Sequence, residues 1–348
     1  MFNLHLENVS FSYKEGDFTL KNISFSLEDH DFLCVFGASG SGKTTLLKVI
    51  AGLFDPQNGT IELHHEMLSD IPSHKRKIGY VFQEPKLYPH LTVYENLMLG
   101  IKHSSLSFSE KDQLIKNRMK AFHLLPFMNI MPKYLSLGEQ EKVALAKVFL
   151  VQEDLYLFDE AMSGLDALSR KKVLRYINKI RDENHAPMIY VTHDEENIPS
   201  FTTKVLILKD GEILFFNTLD EMLLHPTHID VLNYTSERYN HLPIKVKDQQ
   251  IYYDQQPIAS CPLNDGEYIL SLPISNFSLT KEDTFSLLHK KSYLDRNGKM
   301  ILEGYCLGEL LLIPLSDEEE INENQLHFIF HTKNGFIFAL DGRLKENL

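Results

Sequence analysis

The stretch FLCVFGASGSGKTTLL, Phe32 to Leu47, decides how the rest of the chain reads. An apolar run from Phe32 to Phe36 stops at Gly37. The pattern G-x-x-x-x-G-K-T then runs to Thr44, and Thr45 to Val49 continue as a helix. Strand, glycine-rich loop and helix, in that order, are the setting a phosphate-binding loop needs. Gly37, Gly40 and Gly42 permit sharp bends and a close approach of backbone to ligand. The loop amides, those of Ala38, Ser39 and Ser41 among them, would cradle nucleotide phosphates beside the positive end of the helix. Lys43 would reach the β- and γ-phosphates, and the Thr44 hydroxyl would sit on Mg²⁺.

Around that loop, composition sets bounds. The chain has 348 residues, more than one ordinary domain holds, so two are expected. Hydrophobic residues at 43% supply packed cores and exclude a disordered chain. The formal charge is −13, with no block of Lys and Arg, which argues against nucleic acid as the main partner. Cys34, Cys261 and Cys306 lie far apart and read as reduced thiols of a cytosolic protein. None of the 16 histidines has a recognised ligand spacing, and His64-His65 reads as a solvated turn. The start, MFNLHLENVS, lacks the marks of a signal peptide. No apolar run is long enough to span a bilayer, so any membrane role comes through a partner.

Along the chain, residues 2 to 27 alternate apolar and polar around Lys14-Glu15-Gly16-Asp17, which predicts antiparallel β structure. Tyr13 ends one such strand, where its ring could lie on a nucleotide base. Downstream, the apolar strand Ile78 to Phe82 ends in Gln83, and Thr92 with Glu95 marks a capped helix start. Residues 104 to 134 read as mostly helical. Ser136 with Glu139 is a second capping box, ahead of a long helix, and Ser136 with Gly138 at that helix start also suits an anion. Another apolar strand, Leu155 to Phe158, ends in Asp159-Glu160. Buried carboxylates are costly unless used: Asp159 is placed to hold Mg²⁺ and Glu160 to polarise an attacking water. Ser163 to Asp166 turns into a helix, and the strand Met188 to Thr192 delivers His193 and Asp194. Ligand sites gather at such carboxyl edges of α/β sheets. KVLILKDGEILFF is a hairpin about Asp210-Gly211. Beyond a boundary near residue 235, short strands with turns at Asp265-Gly266, Asn297-Gly298 and Asn334-Gly335 suggest a small barrel or sandwich.

With Gly37–Thr44, Gln83, Leu135–Gln140, Asp159-Glu160, Ser163–Asp166 and His193 in this order, the first two-thirds of the chain resembles the nucleotide-binding subunit of ABC transporters. The resemblance implies a P-loop NTPase cassette over residues 1–234, with a RecA-like core, an antiparallel β subdomain and a helical subdomain. A β-rich regulatory domain of OB-fold (TOBE) type would follow over 235–348. It makes Tyr13 the adenine-stacking aromatic, Gly37 to Thr45 the phosphate loop, and Gln83 the sensor of Mg²⁺ and lytic water. Asp159 becomes the Mg²⁺ carboxylate, Glu160 the general base and His193 the γ-phosphate switch. Ser136 and Gly138 would close on the nucleotide of a second copy, and Asp166 would cross that interface. The signature departs from LSGGQ at Leu137 and Glu139, and this is where slower hydrolysis is expected.

IGYVFQEPKLYPHLTVYENL and VTHDEEN look like importers of sugars, polyamines, oxyanions and ferric iron, and HFIFHTKNGFIFALDGRL like the maltose and glycerol-phosphate type. LSLPISNFSL, however, stands where those subunits carry a basic-proline-acidic motif. The expectation is an ATPase at the cytoplasmic face of the membrane, a homodimer under permease subunits fed by an external binding protein, with sugar uptake favoured. A non-transport ABC ATPase is the rival, against which stand a single cassette and no sustained heptads.

Overall fold

The computed structural model describes residues 3–14, 18–192, 198–235, 237–280, 284–295, 299–315 and 325–348. It divides into two compact units, Met1–Leu219 and Asp220–Leu348.

In the first unit, strands β1 (Leu4–Ser12), β2 (Phe18–Leu27), β4 (Asn58–Leu63) and β5 (Glu66–Met67) form an antiparallel sheet ordered β2-β1-β4-β5. Its alternating apolar residues, Leu4, Leu6, Ile23 and Leu27 among them, face one core. His64 and His65 both have positive φ in the exposed β4–β5 turn, the solvated turn expected of them. A second sheet has the order β10-β9-β3-β8-β7-β6. It contains β3 (Phe32–Phe36), β6 (Ile78–Val81), β7 (Leu155–Asp159), β8 (Met188–Val191), β9 (Lys204–Lys209) and β10 (Glu212–Asn217). All but β10 run parallel. β3, β7 and β8 are buried along their whole length, as strands covered on both faces must be. Asp210 and Gly211, both at positive φ, close the β9–β10 hairpin.

Helix α1 (Lys43–Ile50) follows β3, and α2 (Val93–Gly100), α3 (Phe108–Ala121), α4 (Leu137–Val148) and α5 (Ala167–Asn184) complete the unit. Thr92, Ser107 and Ser136 each close a capping box at the start of α2, α3 and α4. These boxes satisfy amides that the helices leave open. After α3 the expected helical stretch breaks into short 3-10 turns at Leu125–Phe127 and Pro132–Tyr134, because each begins with or contains proline.

The second unit starts earlier than the boundary near 235. α6 (Leu219–Leu224) sits at the division, and the segment beyond it pairs with the chain end. Ile229 N–H donates to Gly342 O at 2.8 Å, Leu344 N–H to Thr227 O at 3.1 Å, and Leu232 packs on Phe336 and Phe338. Its strands are β11 (Tyr239–Lys247), β12 (Gln250–Tyr253), β13 (Gln256–Ser260), β14 (Gly266–Pro273), β15 (Phe277–Thr280), β16 (Phe285–Leu294), β17 (Met300–Cys306), β18 (Glu309–Pro314), β19 (Gln325–Phe330), β20 (Phe336–Phe338) and β21 (Leu344–Asn347). They form sheets ordered β13-β12-β11-β14-β20-β21 and β15-β19-β16-β17-β18. The two share a core of Leu242, Tyr253, Leu270, Phe285, Leu287 and Phe328. Of the turns the sequence signals suggest, Asn334-Gly335 is one, with Asn334 at φ 59° and the Gly335 amide on Thr332 O at 3.1 Å, but the other tight turns fall elsewhere. Asp248-Gln249, Asp254-Gln255 and Leu307-Gly308 take positive φ between paired strands. Asp265 instead accepts the Asp248 amide at 2.9 Å, and Asn297-Gly298 lies outside the described residues.

Candidate functional site

Because β3, β6 and β7 run parallel, the residues after each strand emerge at one edge of the sheet. There a cavity of about 580 Å³ opens over the Gly37–Thr44 loop, with Tyr13, Thr45, Gln83 and Glu160 also on its wall. Gly42 ends the loop as the N-cap of α1 at φ 107°. A Cβ there would lie 2.8 Å from Thr19 O, so the turn requires glycine. Ala38, Ser39 and Gly40 are exposed, whereas Ser41 is buried with a hydroxyl that has no partner among the described residues. A buried hydroxyl inside a cradle of amides fits a loop built to take an anion.

Lys43 is buried, and its Nζ donates to Gly37 O at 2.7 Å and to Ala38 O at 2.9 Å. Burial lowers the pKa of this ammonium, while the charges of Glu160 and Asp159 oppose the shift. Across from it, Thr44 Oγ1 donates to Asp159 Oδ1 at 2.9 Å and Tyr80 Oη donates to Asp159 Oδ2 at 3.0 Å. Burial raises the Asp159 carboxyl above its ordinary range, and the two hydroxyls oppose the shift. The Thr44–Asp159 pair supplies hard oxygen donors. Among the described residues no group of three or more His, Cys, Asp or Glu gathers. A small divalent cation bound here would therefore complete its shell with ligand oxygens and water.

Gln83 Nε2 donates to Glu160 Oε2 at 3.0 Å. Glu160 itself sits at φ 49°, its amide on Val191 O, which turns its side chain out of the sheet toward the loop. Tyr13 stands at the mouth, with Phe11 and Phe54 edge-on to its ring at 5.1 and 5.4 Å. Its hydroxyl is 3.1 Å from Thr45 Oγ1.

Ser136, Gly138 and Asp166 do not line this cavity. Ser136 caps α4, donating its amide and hydroxyl to Glu139 Oε2, both at 2.8 Å. Asp166 caps α5 through the Ser169 amide at 2.9 Å. Leu137, 53% exposed, lies beside Gly164 of its own chain. His193 lies outside the described residues. Sequence reading missed Thr19, on the cavity wall, and Tyr80, on Asp159. Tyr80 looks like one more apolar position of β6, and only the β6–β7 pairing brings it to Asp159.

The ABC transporter family model matches residues 20–163. A maltose/maltodextrin import ATP-binding protein of Mannheimia succiniciproducens is 34% identical over 248 residues, 71% of this chain and 66% of that protein. A sulfate/thiosulfate import ATP-binding protein of Bacillus cereus is 25% identical over 326 residues, 90% of each chain. In the first four curated relatives the matched part spans 59 to 66% of their length, under two thirds. Among solved structures, the ATP-binding cassette MJ0796, a dimer bound to ADP and Pi, superposes with a TM-score of 0.58 at 30% identity. That match covers 62% of this chain and 98% of that one. With nearly the whole of a solved cassette matched by a sheet whose edge carries this loop and these carboxylates, the chain belongs to the ABC transporter family.

Proposed function

We propose that this chain is the ATP-binding and ATP-hydrolysing subunit of an importer, acting as a pair of copies beneath membrane-embedded permease subunits. One observation carries the reading: the Thr44–Asp159 and Gln83–Glu160 pairs stand at the rim of the Gly37–Thr44 loop. In this reading the loop amides and Lys43 hold the triphosphate of ATP, and Tyr13 supports the base. Thr44 and Asp159, with Gln83, hold Mg²⁺, which when bound neutralises phosphate charge. Glu160 accepts the proton of the attacking water, oriented by Gln83. Ser136, Gly138 and Asp166 serve the nucleotide of the second copy, consistent with the dimeric form of the solved cassette. His193 is assigned to the γ-phosphate from the sequence alone.

No helix among the described residues is long and apolar enough to cross a membrane, which suits a subunit docked at the cytoplasmic face. The cargo favoured is a sugar, after the maltose/maltodextrin relatives, delivered by an external binding protein. The second reading is an oxyanion, because the sulfate/thiosulfate relative aligns over 90% of both chains, tail included. The all-β unit is read as an OB-type regulatory domain.

Phosphate release from Mg·ATP by the purified chain tests the proposal. Glu160→Gln is expected to cut turnover by roughly 10²–10⁴-fold while labelled ATP still binds and the variant pairs on gel filtration. Near-normal turnover removes Glu160 from its role, and a chain that stays single with ATP overturns the two-copy site.

A further inference from the structure

Outside the cavity, α4 buries a carboxylate that the mechanism above does not use. Glu141 is 1% exposed. Its Oε1 and Oε2 accept the Gly164 amide at 3.0 and 3.1 Å, and Ser163 Oγ donates to Oε1 at 3.3 Å. A buried carboxylate is costly unless its acceptors are used, and here both oxygens are spent on one loop. That loop begins at Glu160, whose carbonyl accepts the Ser163 amide at 3.2 Å. It ends at Asp166, the cap of α5.

The same two elements touch at further points. A Cβ on Gly138 would lie 2.6 Å from Gly164 O, and one on Gly164 would lie 2.9 Å from Leu137 Cγ, so the first turn of α4 rests directly on the loop. Lys142 Nζ donates to Ser169 Oγ at 3.1 Å, crossing to the first turn of α5. Arg170 Nη2, on α5, donates to Leu165 O of the loop at 3.4 Å. These contacts fasten the start of α4 to the 160–166 loop.

We propose that Glu141 is a positioning residue that ties the Ser136 end of α4 to the loop issuing from Glu160, so that contact of α4 with one nucleotide sets the geometry of Glu160 at the other. This rests on the reading of the chain as a paired ATPase. Within one chain, Ser136 serves the partner's nucleotide while Glu160 serves its own. A rigid link between them makes the two sites report on each other. A carboxylate suits the link better than an amide: charge-assisted hydrogen bonds to N–H are the stronger kind, and the Gly164 N–H is shared by both carboxylate oxygens, where an amide would set its NH₂ group against that N–H.

The test uses the full-length chain with Glu141→Ala and Glu141→Gln. Amide exchange across residues 160–166 without nucleotide is expected to be slow in wild type, fast in Glu141→Ala and intermediate in Glu141→Gln. In steady-state hydrolysis, Glu141→Ala should lose roughly 10²-fold in kcat, the scale of a misplaced reacting group. Its KM and its affinity for labelled ATP should stay within about twofold, any cooperativity in ATP should vanish, and Glu141→Gln should recover much of kcat. Wild-type kcat and cooperativity in Glu141→Ala would overturn the proposal. So would a loss of kcat that merely tracks a lower melting temperature and is not relieved in Glu141→Gln. If wild type releases no phosphate, it is the ATPase reading that falls, and the exchange experiment alone then decides whether Glu141 holds the loop.

Discussion

Asp159 shows how a single carboxylate is held for use. Both of its oxygens are taken by hydroxyls, Thr44 on one side and Tyr80 on the other, so its plane is set before any ligand arrives. Outer partners of a metal ligand typically tune affinity by 10–100-fold. Tyr80→Phe keeps the ring, which packs on Phe82 at 4.2 Å, and removes only the donor. Mn²⁺ titration with a non-hydrolysable ATP analogue should then show binding weaker by roughly 10-fold or more. Unchanged Mn²⁺ affinity would mean that Thr44 alone orients the carboxylate.

Among the elements, α4 carries the departure from LSGGQ at Leu137 and Glu139, and its geometry says how the two residues sit. Leu137 lies against Gly164 of the same chain, so its bulk is partly taken up within the cassette. Glu139 instead places a carboxylate at the open end of the helix, where it takes the Ser136 amide and hydroxyl. That is good capping and a poor welcome for a phosphate, since both compete for the same positive helix end. Glu139→Gln keeps a side chain able to cap and removes the charge. The expected outcome is a melting temperature within a degree or two of wild type and ATP turnover several-fold higher, read by phosphate release. Equal or slower turnover would show that the carboxylate is no obstacle.

For the molecule as a whole, Glu153 ties stability to pH. Burial, with Asp154 beside it, pushes its carboxyl up to about 7 from 4.5. A group whose folded pKa is raised favours the fold below the unfolded value and loses that advantage as pH rises through the folded one. The window here runs from about 4.5 to about 7. Glu153→Gln should therefore melt higher than wild type at pH 8 and no higher at pH 4.5, followed by calorimetry. A shift of equal size at both pH values would assign the effect to packing. With two units in the chain, the transition to follow is that of the first, because a single two-state melt is not guaranteed.

Signals confined to a few consecutive residues were legible without coordinates. The strand, glycine loop and helix of residues 32–50, the Asp159-Glu160 strand end, the Thr92 and Ser136 caps and the Asp210-Gly211 hairpin all depend on short-range backbone chemistry. Turns of the second unit were less so, because Asp-Gln and Leu-Gly pairs adopt positive φ where the strands on either side demand it. The same holds for the start of that unit, since the 227–232 segment pairs with the end of the chain. What the tertiary structure alone decided are the partners: Tyr80 with Asp159, 79 residues apart, Gln83 with Glu160, 77 apart, and Glu141 with Gly164. The reason is physical. Strand order β3-β8-β7-β6 and the seating of α4 on the 160–166 loop come from burying apolar faces against each other, and that choice leaves no mark in any local pattern.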